Sequence, residues 1–303
     1  MLKLSIIGTS KIVEEHIKVA KATGFELFSI SSTRKNSVNL KKLRKKYNFK
    51  FSFGNWVDAV NHSNKYKDTI FLIAPRIQDT YKILTKILKK KKYVFVEKPL
   101  TTKINQFNNI LSYNNNIFVG YNRMFYKNII YLKRKLKKLD NVIVKCPEIS
   151  KKNILLNSVH VISVLFYLFG ELRILNKKKY KNNLFVHLNS KQNIPIYLFF
   201  NFNASENFSI EFYSKNQRFL LKPLENLYAY KGMQVKKNSS NKNLLDYVPK
   251  VKYYKSEMSF NKFKPGFLNQ MYAFKKFVKN RAKIQNNLIF AKKIMSLAKK
   301  ISN

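Results

Sequence analysis

About the first 125 residues alternate short apolar segments with amphipathic ones, and this alternation constrains the fold more than any other feature. Apolar runs of strand length are followed by stretches whose apolar residues recur at helical spacing. Strands that alternate with helices pair in parallel, because each helix returns the chain to the same end of the sheet. The sequence therefore predicts an α/β fold that begins with a doubly wound parallel sheet. The predicted strands are 2–7, 25–31, 69–74, 93–96 and 117–120, and the predicted helices are 12–22, 38–47 and 80–88.

The region after Asp140 has a different pattern. Its short segments alternate apolar and polar residues, as in Phe208-Ser209-Ile210-Glu211-Phe212, and polar turns separate them. This pattern indicates a large, open, mostly antiparallel sheet with one covered face. The polar, lysine-rich segment 231–262 is predicted to be a long loop. The predicted strands are 142–145, 184–188, 196–202, 208–213 and 219–221, and the predicted helices are 160–169, 267–278 and 288–301.

Length and composition fit two folded domains. At about 150 residues per domain, the 303 residues predict a doubly wound domain at 1–124 and an α+β domain at 125–303, which includes the terminal helices 267–303. The single cysteine, Cys146, excludes an internal disulfide framework and fits a cytoplasmic setting. No apolar run approaches the ~20 residues that span a bilayer, so no membrane partner is expected. The histidines are too dispersed to predict a metal site, and His16, His62 and His187 match no motif.

The net charge of +45 is spread along the whole chain. Such a charge can indicate nucleic acid or an anionic membrane as a partner. Because the lysines fall mostly where solvated helix faces and loops are predicted, we favour a basic solvated surface and expect no specific nucleic-acid binding. A charge-driven nucleic-acid-binding protein is the alternative, and it predicts binding with a steep salt dependence.

The first predicted strand ends in a glycine turn. Gly8-Thr9-Ser10-Lys11-Ile12-Val13 occupies the place where dinucleotide-binding folds carry G-x-G-x-x-G/A. Gly8 permits the tight turn, and free N–H groups at the start of the next helix can hold a pyrophosphate. Ser10 needs little more room than glycine, whereas Val13 is expected to push the helix away from the strand. An ordinary strand-to-helix turn is the alternative interpretation.

The second predicted strand ends in Ser31-Ser32-Thr33-Arg34-Lys35, without the acidic residue that binds the ribose 2′-hydroxyl of NAD. The hydroxyl groups of Ser32 and Thr33 and the guanidinium of Arg34 suit a 2′-phosphate. This favours NADP as the cofactor, with NAD as the alternative. In so basic a chain, an ordinary surface arginine would look the same.

Two further polar segments follow predicted strands. Strand 93–96 runs directly into Glu97-Lys98-Pro99, where the proline removes the backbone donor that a continuing strand would need. Open parallel sheets bind ligands just outside the carboxyl ends of their strands, so Lys98 is a candidate site residue. Gly120-Tyr121-Asn122-Arg123 follows the next strand and could orient a polyhydroxylated or anionic ligand, or form a polar crossover between domains.

These motifs, in this order and spacing, resemble the glucose-fructose oxidoreductase / inositol dehydrogenase (Gfo/Idh/MocA) family. Glu97-Lys98-Pro99 is the most specific of them, and the resemblance extends over nearly the whole chain. The matching segments are 7–12, 97–99, 120–123, His160 ahead of 165–170, and 267–270 through Phe274 and Phe277.

The resemblance implies a Rossmann domain, an α+β domain whose open sheet often serves dimerisation, and NAD(P)-dependent hydride transfer at a sugar or cyclitol carbon. It implies that Lys98 lies beside the nicotinamide ribose and the substrate hydroxyl, and that His160 is a general acid/base, a role that suits an imidazole. The other residues expected at the site are Ala74, Pro75 and Glu97 for the cofactor and Tyr121, Asn122, Arg123 and Asn157 for the substrate.

Three positions depart from the family pattern. Leu156 and Ser163 stand where dehydrogenases of this family often have Asp, four residues before and three residues after the histidine, and Asp79 replaces a histidine after Ala74-Pro75. Without a carboxylate the imidazole lacks an orienting partner.

We therefore predict an NAD(P)-dependent oxidoreductase acting on a sugar or sugar-nucleotide carbon, with surface polysaccharide biosynthesis as a suggested context. We expect it to be a homodimer or homotetramer. The alternative is a catalytically impaired family member that binds dinucleotide and acts as a sensor or partner subunit.

Overall fold

The computed structural model describes residues 1–34, 36–237, 240, 243–258, 262–280 and 284–303. The chain divides into two compact units, Met1–Phe125 with Lys262–Lys299 and Tyr126–Asn261 with Lys300–Asn303. The division after Phe125 lies close to the predicted boundary after residue 124. The terminal helices were expected in the second domain, but most of that segment groups with the first unit.

Strands and helices follow one another along the described residues in the order that the two predicted patterns require. The strands are β1 (Lys3–Ile7), β2 (Glu26–Ser31), β3 (Phe51–Phe53), β4 (Thr69–Ile73), β5 (Val94–Glu97), β6 (Ile117–Gly120), β7 (Asn141–Glu148), β8 (Leu172–Tyr180), β9 (Asn183–Ser190), β10 (Pro195–Phe202), β11 (Ser209–Ser214), β12 (Gln217–Leu221), β13 (Asn226–Lys237) and β14 (Leu245–Ser256). The helices are α1 (Lys11–Ala22), α2 (Val38–Tyr47), α3 (Trp56–Ser63), α4 (Ile77–Leu88), α5 (Ile104–Asn108), α6 (Lys127–Lys135), α7 (Lys151–Asn153), α8 (Val159–Phe169), α9 (Phe267–Asn280) and α10 (Leu288–Ser302).

The first unit contains a parallel sheet in the order β3-β2-β1-β4-β5-β6. Every pairing between neighbouring strands of this sheet is parallel. The strand order reverses between β1 and β4, so this sheet is the predicted doubly wound Rossmann sheet. β3 was not predicted, because a three-residue strand is too short to show a period. The helix that follows it, α3, was not predicted either.

The hydrophobic core of the first unit explains why α9 belongs to it. Apolar side chains of α9 are buried in the same cluster as those of β1 and α1, and α9 packs against α1. The buried members from α9 are Phe267, Met271, Phe274 and Phe277, and those from β1 and α1 include Leu4, Ile6, Val13 and Ile17.

The second unit contains a sheet in the order β14-β13-β12-β11-β7-β10-β9-β8. Its pairings are antiparallel except for β7 with β10, which confirms the predicted mostly antiparallel sheet. The prediction of a long loop over 231–262 was wrong, because β13 and β14 pair across much of it. Most side chains of both strands beyond Tyr230 are exposed, and lysines are frequent among them, so the composition indicated a solvated loop.

A helical segment over Lys151–Phe169 fills the core of the second unit. It consists of α7, a π-helical turn at Ile154–Ser158, and α8. Among the described residues, this segment alone is long and apolar enough to cross a membrane by length and composition, and 61% of its most apolar window is buried inside the structure. A core helix of a folded protein meets the same criteria of length and composition and is likewise mostly buried.

Candidate functional site

An open cavity of about 330 Å³ lies at the carboxyl ends of β1, β2 and β4. It includes the place where the strand order reverses, which is where doubly wound sheets bind ligands. The cavity brings together eight of the predicted cofactor residues and adds three that the sequence analysis missed. The lining is Gly8, Thr9, Ser10, Ser32, Thr33, Arg34, Ala74 and Pro75 from the prediction, with Ser37, Asn39 and Arg76 in addition.

Gly8 is required at the floor of this cavity for two reasons. Its φ is +130°, which side-chain-bearing residues rarely adopt. A Cβ atom there would lie 2.5 Å from the carbonyl oxygen of Ala74 and 3.2 Å from Cγ2 of Val13. The helix therefore approaches the strand closely even with valine at residue 13, because Gly8 leaves the space. Val13 is fully buried, and the displacement of α1 expected from it does not occur.

Hydrogen-bonding groups surround the cavity. α1 begins directly after Ser10, which makes no side-chain capping hydrogen bond with the described residues, so capping does not occupy the first N–H groups of the helix. Arg34 follows β2 and Arg76 follows β4, and both side chains are exposed. A floor without a side chain, the first N–H groups of α1 and two guanidinium groups fit the phosphates of a dinucleotide.

The three missed lining residues differ in how well they could have been found. Arg76 comes directly after Ala74-Pro75, so the rule about strand ends, applied to β4, would have included it. Ser37 caps α2 by accepting a hydrogen bond from the Leu40 backbone N–H at 3.3 Å, and Asn39 lies in the first turn of α2. Nothing local in the sequence assigns either of them to a ligand.

Four other predicted cofactor residues are not among the described residues that line this cavity. Lys11 is exposed and Ile12 is half-buried in the first turn of α1. Lys98 is half-buried after β5. The Glu97 carboxylate binds within the unit, where its Oε1 lies 2.5 Å from Nε2 of His16 and its Oε2 accepts a hydrogen bond from the Lys98 backbone N–H at 3.2 Å.

The segment after β6 is fixed mainly by its own unit. Tyr121 is 1% exposed and packs edge-on against Phe290, with ring centroids 6.0 Å apart. Burial raises the pKa of its hydroxyl. The Asn122 side-chain amide donates to the Pro265 carbonyl at 3.2 Å, and Arg123 is half-buried. The substrate roles predicted for these three residues stay predictions.

In the second unit, His160 is the second residue of α8 and is half-buried. The Ser163 hydroxyl donates to the carbonyl of His160 at 2.7 Å, so this replacement for the family's Asp bonds within its own helix. A different carboxylate lies at the start of the helix. Glu148, at the end of β7, accepts hydrogen bonds from Asn157 at 3.2 Å and from the Ser158 hydroxyl.

Glu148 is 5% exposed, and the sequence analysis did not single it out. The available signal was a lone acidic residue at the end of an alternating strand, in a chain with 15 acidic and 60 basic residues. Among the described residues, no group of three or more His, Cys, Asp or Glu side chains is placed to hold a metal ion.

Comparisons with known proteins agree with this architecture. Residues 2–117 match the family model described as "Oxidoreductase family, NAD-binding Rossmann fold". No curated protein sequence matches the chain. Several solved structures have the same fold over nearly their whole length.

A dehydrogenase from Clostridium difficile is 19% identical, with a TM-score of 0.79, and the match covers 99% of this chain and 98% of that one. A UDP-N-acetylglucosamine 3-dehydrogenase from Acidithiobacillus ferrooxidans is 8% identical, with a TM-score of 0.73 and coverage of 99% and 96%. A levoglucosan dehydrogenase in complex with NADH and L-sorbose is 11% identical, with a TM-score of 0.76 and coverage of 99% and 95%.

At these identities the structural neighbours establish the fold. The family match concerns residues 2–117, which lie in the first unit. Residues 2–117 are therefore similar to the NAD-binding Rossmann domain of the Gfo/Idh/MocA oxidoreductase family.

Proposed function

We propose that this protein is an NAD(P)-dependent oxidoreductase that transfers a hydride to or from a carbon of a sugar or sugar nucleotide. The observation that carries the proposal is the cavity at the reversal of strand order, whose floor at Gly8 has no room for a Cβ atom. The second unit, which has the fold of solved sugar dehydrogenases, would supply substrate contacts.

NADP is the favoured cofactor. Gly8, Thr9 and Ser10 would hold the pyrophosphate, with Ala74 and Pro75 beside it. The residues after β2 are hydroxyl-bearing and basic, and an acidic partner for a ribose 2′-hydroxyl is absent among the described lining residues. Arg34 would bind the 2′-phosphate, because guanidinium pairs with phosphate through two parallel hydrogen bonds.

The chemistry requires a group that manages a proton. A bound nicotinamide would accept or supply the hydride of the reacting carbon. Lys98 would polarise the substrate hydroxyl and take its proton during oxidation, and His160 would assist as general acid/base. Tyr121, Asn122, Arg123 and Asn157 would position the substrate.

A catalytically impaired dinucleotide-binding protein is the second candidate. It is favoured by the replacement of the family's usual Asp by Leu156 and by the bond that ties Ser163 to its own helix. Glu148 weighs against it, because this buried carboxylate lies at the start of the same helical segment.

A sugar-nucleotide substrate would suit surface polysaccharide biosynthesis, and it would be attracted by the net charge of +45. We propose a cytoplasmic homodimer or homotetramer without a membrane partner. Exposed apolar side chains of the second unit, such as Phe199, Tyr247 and Tyr254, support self-association. Light scattering of the purified protein would test the assembly.

The decisive experiment is titration of the purified protein with NADPH and with NADH at physiological salt, followed by nicotinamide fluorescence. Saturable binding that is tighter for NADPH is expected, and it should weaken in Arg34→Ala for NADPH alone. A panel of sugar nucleotides and free sugars then tests turnover in both directions. Binding without turnover would favour the impaired candidate, and no binding of either nucleotide would overturn the proposal.

A further inference from the structure

The carboxylate of Glu97 makes two hydrogen bonds inside the first unit and lies beside a glycine. Nε2 of His16 lies 2.5 Å from Oε1, and because an ionised carboxylate can only accept, the imidazole donates. The backbone N–H of Lys98 donates to Oε2 at 3.2 Å. A Cβ atom at Gly120 would lie 3.0 Å from Oε1, so glycine leaves the space that this carboxylate needs.

His16 is itself held firmly. Its side chain is 1% exposed and lies between two rings, with centroids 4.9 Å from Phe95 and 4.8 Å from Phe267. Its Nδ1 atom is buried and has no hydrogen-bond partner among the described residues. The hydrogen bond from Nε2 to Glu97 is thus the polar contact by which the buried His16 imidazole is connected to the site.

We infer that His16 and Glu97 form a positioning pair that fixes the backbone at Lys98 and couples it to the helix that follows the nucleotide-binding turn. The inference rests on the proposed function in that Lys98 is the group being positioned. It assigns Glu97 a role toward the protein and not toward the cofactor.

The geometry gives this pair a mechanical consequence. α1 begins directly after Ser10 in the wall of the cavity and carries His16 one turn and a half further along. A movement of α1 on nucleotide binding would be transmitted through the imidazole to the Glu97 carboxylate and from its second oxygen to Lys98. Small displacements of a reacting group matter, because a misplacement of ~1 Å can lower turnover by about 10²-fold.

The first test compares three variants by kcat, KM and NADPH affinity. His16→Leu removes the donor, His16→Gln keeps a donor near the same place, and His62→Leu makes the matched change at another histidine packed among aromatic rings of this unit. We expect kcat to fall by about 10- to 100-fold in His16→Leu and to recover partly in His16→Gln. We expect NADPH affinity to be nearly unchanged in all three. An unchanged kcat in His16→Leu would overturn the inference.

The second test needs no turnover. Trace acetylation of the NADPH-free protein, followed by peptide mass mapping, gives the reactivity of Lys98 relative to the exposed Lys103 in the same molecule. We expect His16→Leu to change this ratio by about threefold or more, and His62→Leu to leave it unaltered. If His16→Leu fails to fold, Glu97→Gln is measured instead, because the amide oxygen can still accept but the charge is gone.

The two hypotheses fail differently. Absence of NADPH binding or of turnover in the unmutated protein would count against the proposed function, while the Lys98 to Lys103 ratio would still report the pairing. A ratio that is the same in every variant would contradict the positioning pair even in an active enzyme.

Discussion

Two carboxylates, one in each unit, lie near the residues proposed for chemistry, and they are held in different ways. Glu97, at the end of β5, is bonded to an imidazole 81 positions away in the sequence. Glu148, at the end of β7, is bonded to Asn157 and Ser158, 9 and 10 positions away. The position of the Glu97 carboxylate therefore depends on contacts between distant parts of the chain, whereas the position of the Glu148 carboxylate depends on contacts within a short segment.

This difference bears on function. Contacts made across a Rossmann unit fix the turn that carries Lys98, so the proposed proton-handling group of the first unit is supported by the core of its fold. The π-helical turn ahead of His160 is supported by one buried carboxylate. We expect the first unit to carry the larger share of catalysis and the second to be more easily altered, and the following variants measure that contrast.

The largest effect is expected at Lys98. Lys98→Met should lower kcat by about 10³-fold or more, because general acid–base groups contribute about 10² to 10⁴, and His160→Asn should lower it by about 10²-fold. NADPH affinity, measured by fluorescence titration, should change little in either. Lys103→Met, an exposed lysine a few positions further on, serves as the control. Equal losses at Lys98 and His160 would remove the contrast between the two units, and full activity in Lys98→Met would refute its assignment.

The next effect is expected at the cavity floor. Gly8→Ala should lower the free energy of unfolding by about 2–5 kcal/mol, the sum of backbone strain and overpacking, since its Cβ would lie 2.5 Å from the Ala74 carbonyl oxygen. NADPH binding should be lost with it. Gly54→Ala is the matched control, because a Cβ there meets nothing within 4 Å. Chemical denaturation compares the two. Similar stabilities for both alanine variants would show that the close approach at Gly8 is not required.

The two units also differ in how much of their structure could be predicted from the sequence. The parallel sheet was predictable because strands alternate with helices, and the glycine turn was predictable because the backbone conformation of Gly8 favours glycine. His16 was not assigned to the site, because its partner is brought beside it only by the fold. β13 and β14 were predicted to be a loop because lysines are mixed with apolar residues along their outer halves, where most side chains of both strands are exposed. Glu148 gave no motif, since its partners are an amide and a hydroxyl of ordinary types.

A smaller effect is expected at Glu148. Glu148→Gln should lower the free energy of unfolding by about 1–3 kcal/mol, because the Asn157 amide and the Ser158 hydroxyl lose a charged acceptor and one of the two carboxylate oxygens is replaced by an NH2 donor. Glu206→Gln, in the same unit, removes ion pairs with Lys145 and Lys222 and should cost less than about 1 kcal/mol. Urea unfolding at neutral pH measures both. If the two variants cost the same, the buried carboxylate does not secure the turn ahead of His160.

The smallest effect is expected at Glu14, a half-buried carboxylate on α1, the helix that also carries His16. Glu14 accepts hydrogen bonds from Lys46 at 2.7 Å and from the Tyr47 hydroxyl at 2.9 Å. The hydrogen bond from Lys46 has the largest effect and that from Tyr47 the next, and they hold the pKa of the Glu14 carboxyl below its ordinary value of 4.5. A carboxyl whose pKa is lower in the folded chain stabilises it at pH values above the unfolded pKa, and this stabilisation is lost as the pH falls through the folded pKa.

We therefore expect Glu14→Gln to lower the free energy of unfolding by less than about 1 kcal/mol at pH 7, and we expect this difference to shrink as the pH falls and Glu14 becomes protonated. Urea unfolding at pH 7, 5 and 3 tests this, and the difference at pH 7 should shrink in 1 M salt because the contact is near the surface. Lys46→Met should reproduce most of the loss at pH 7. A penalty that grew toward pH 3 would reverse the assigned sign, and a penalty as large as that of Glu148→Gln would mean that burial does not separate these carboxylates.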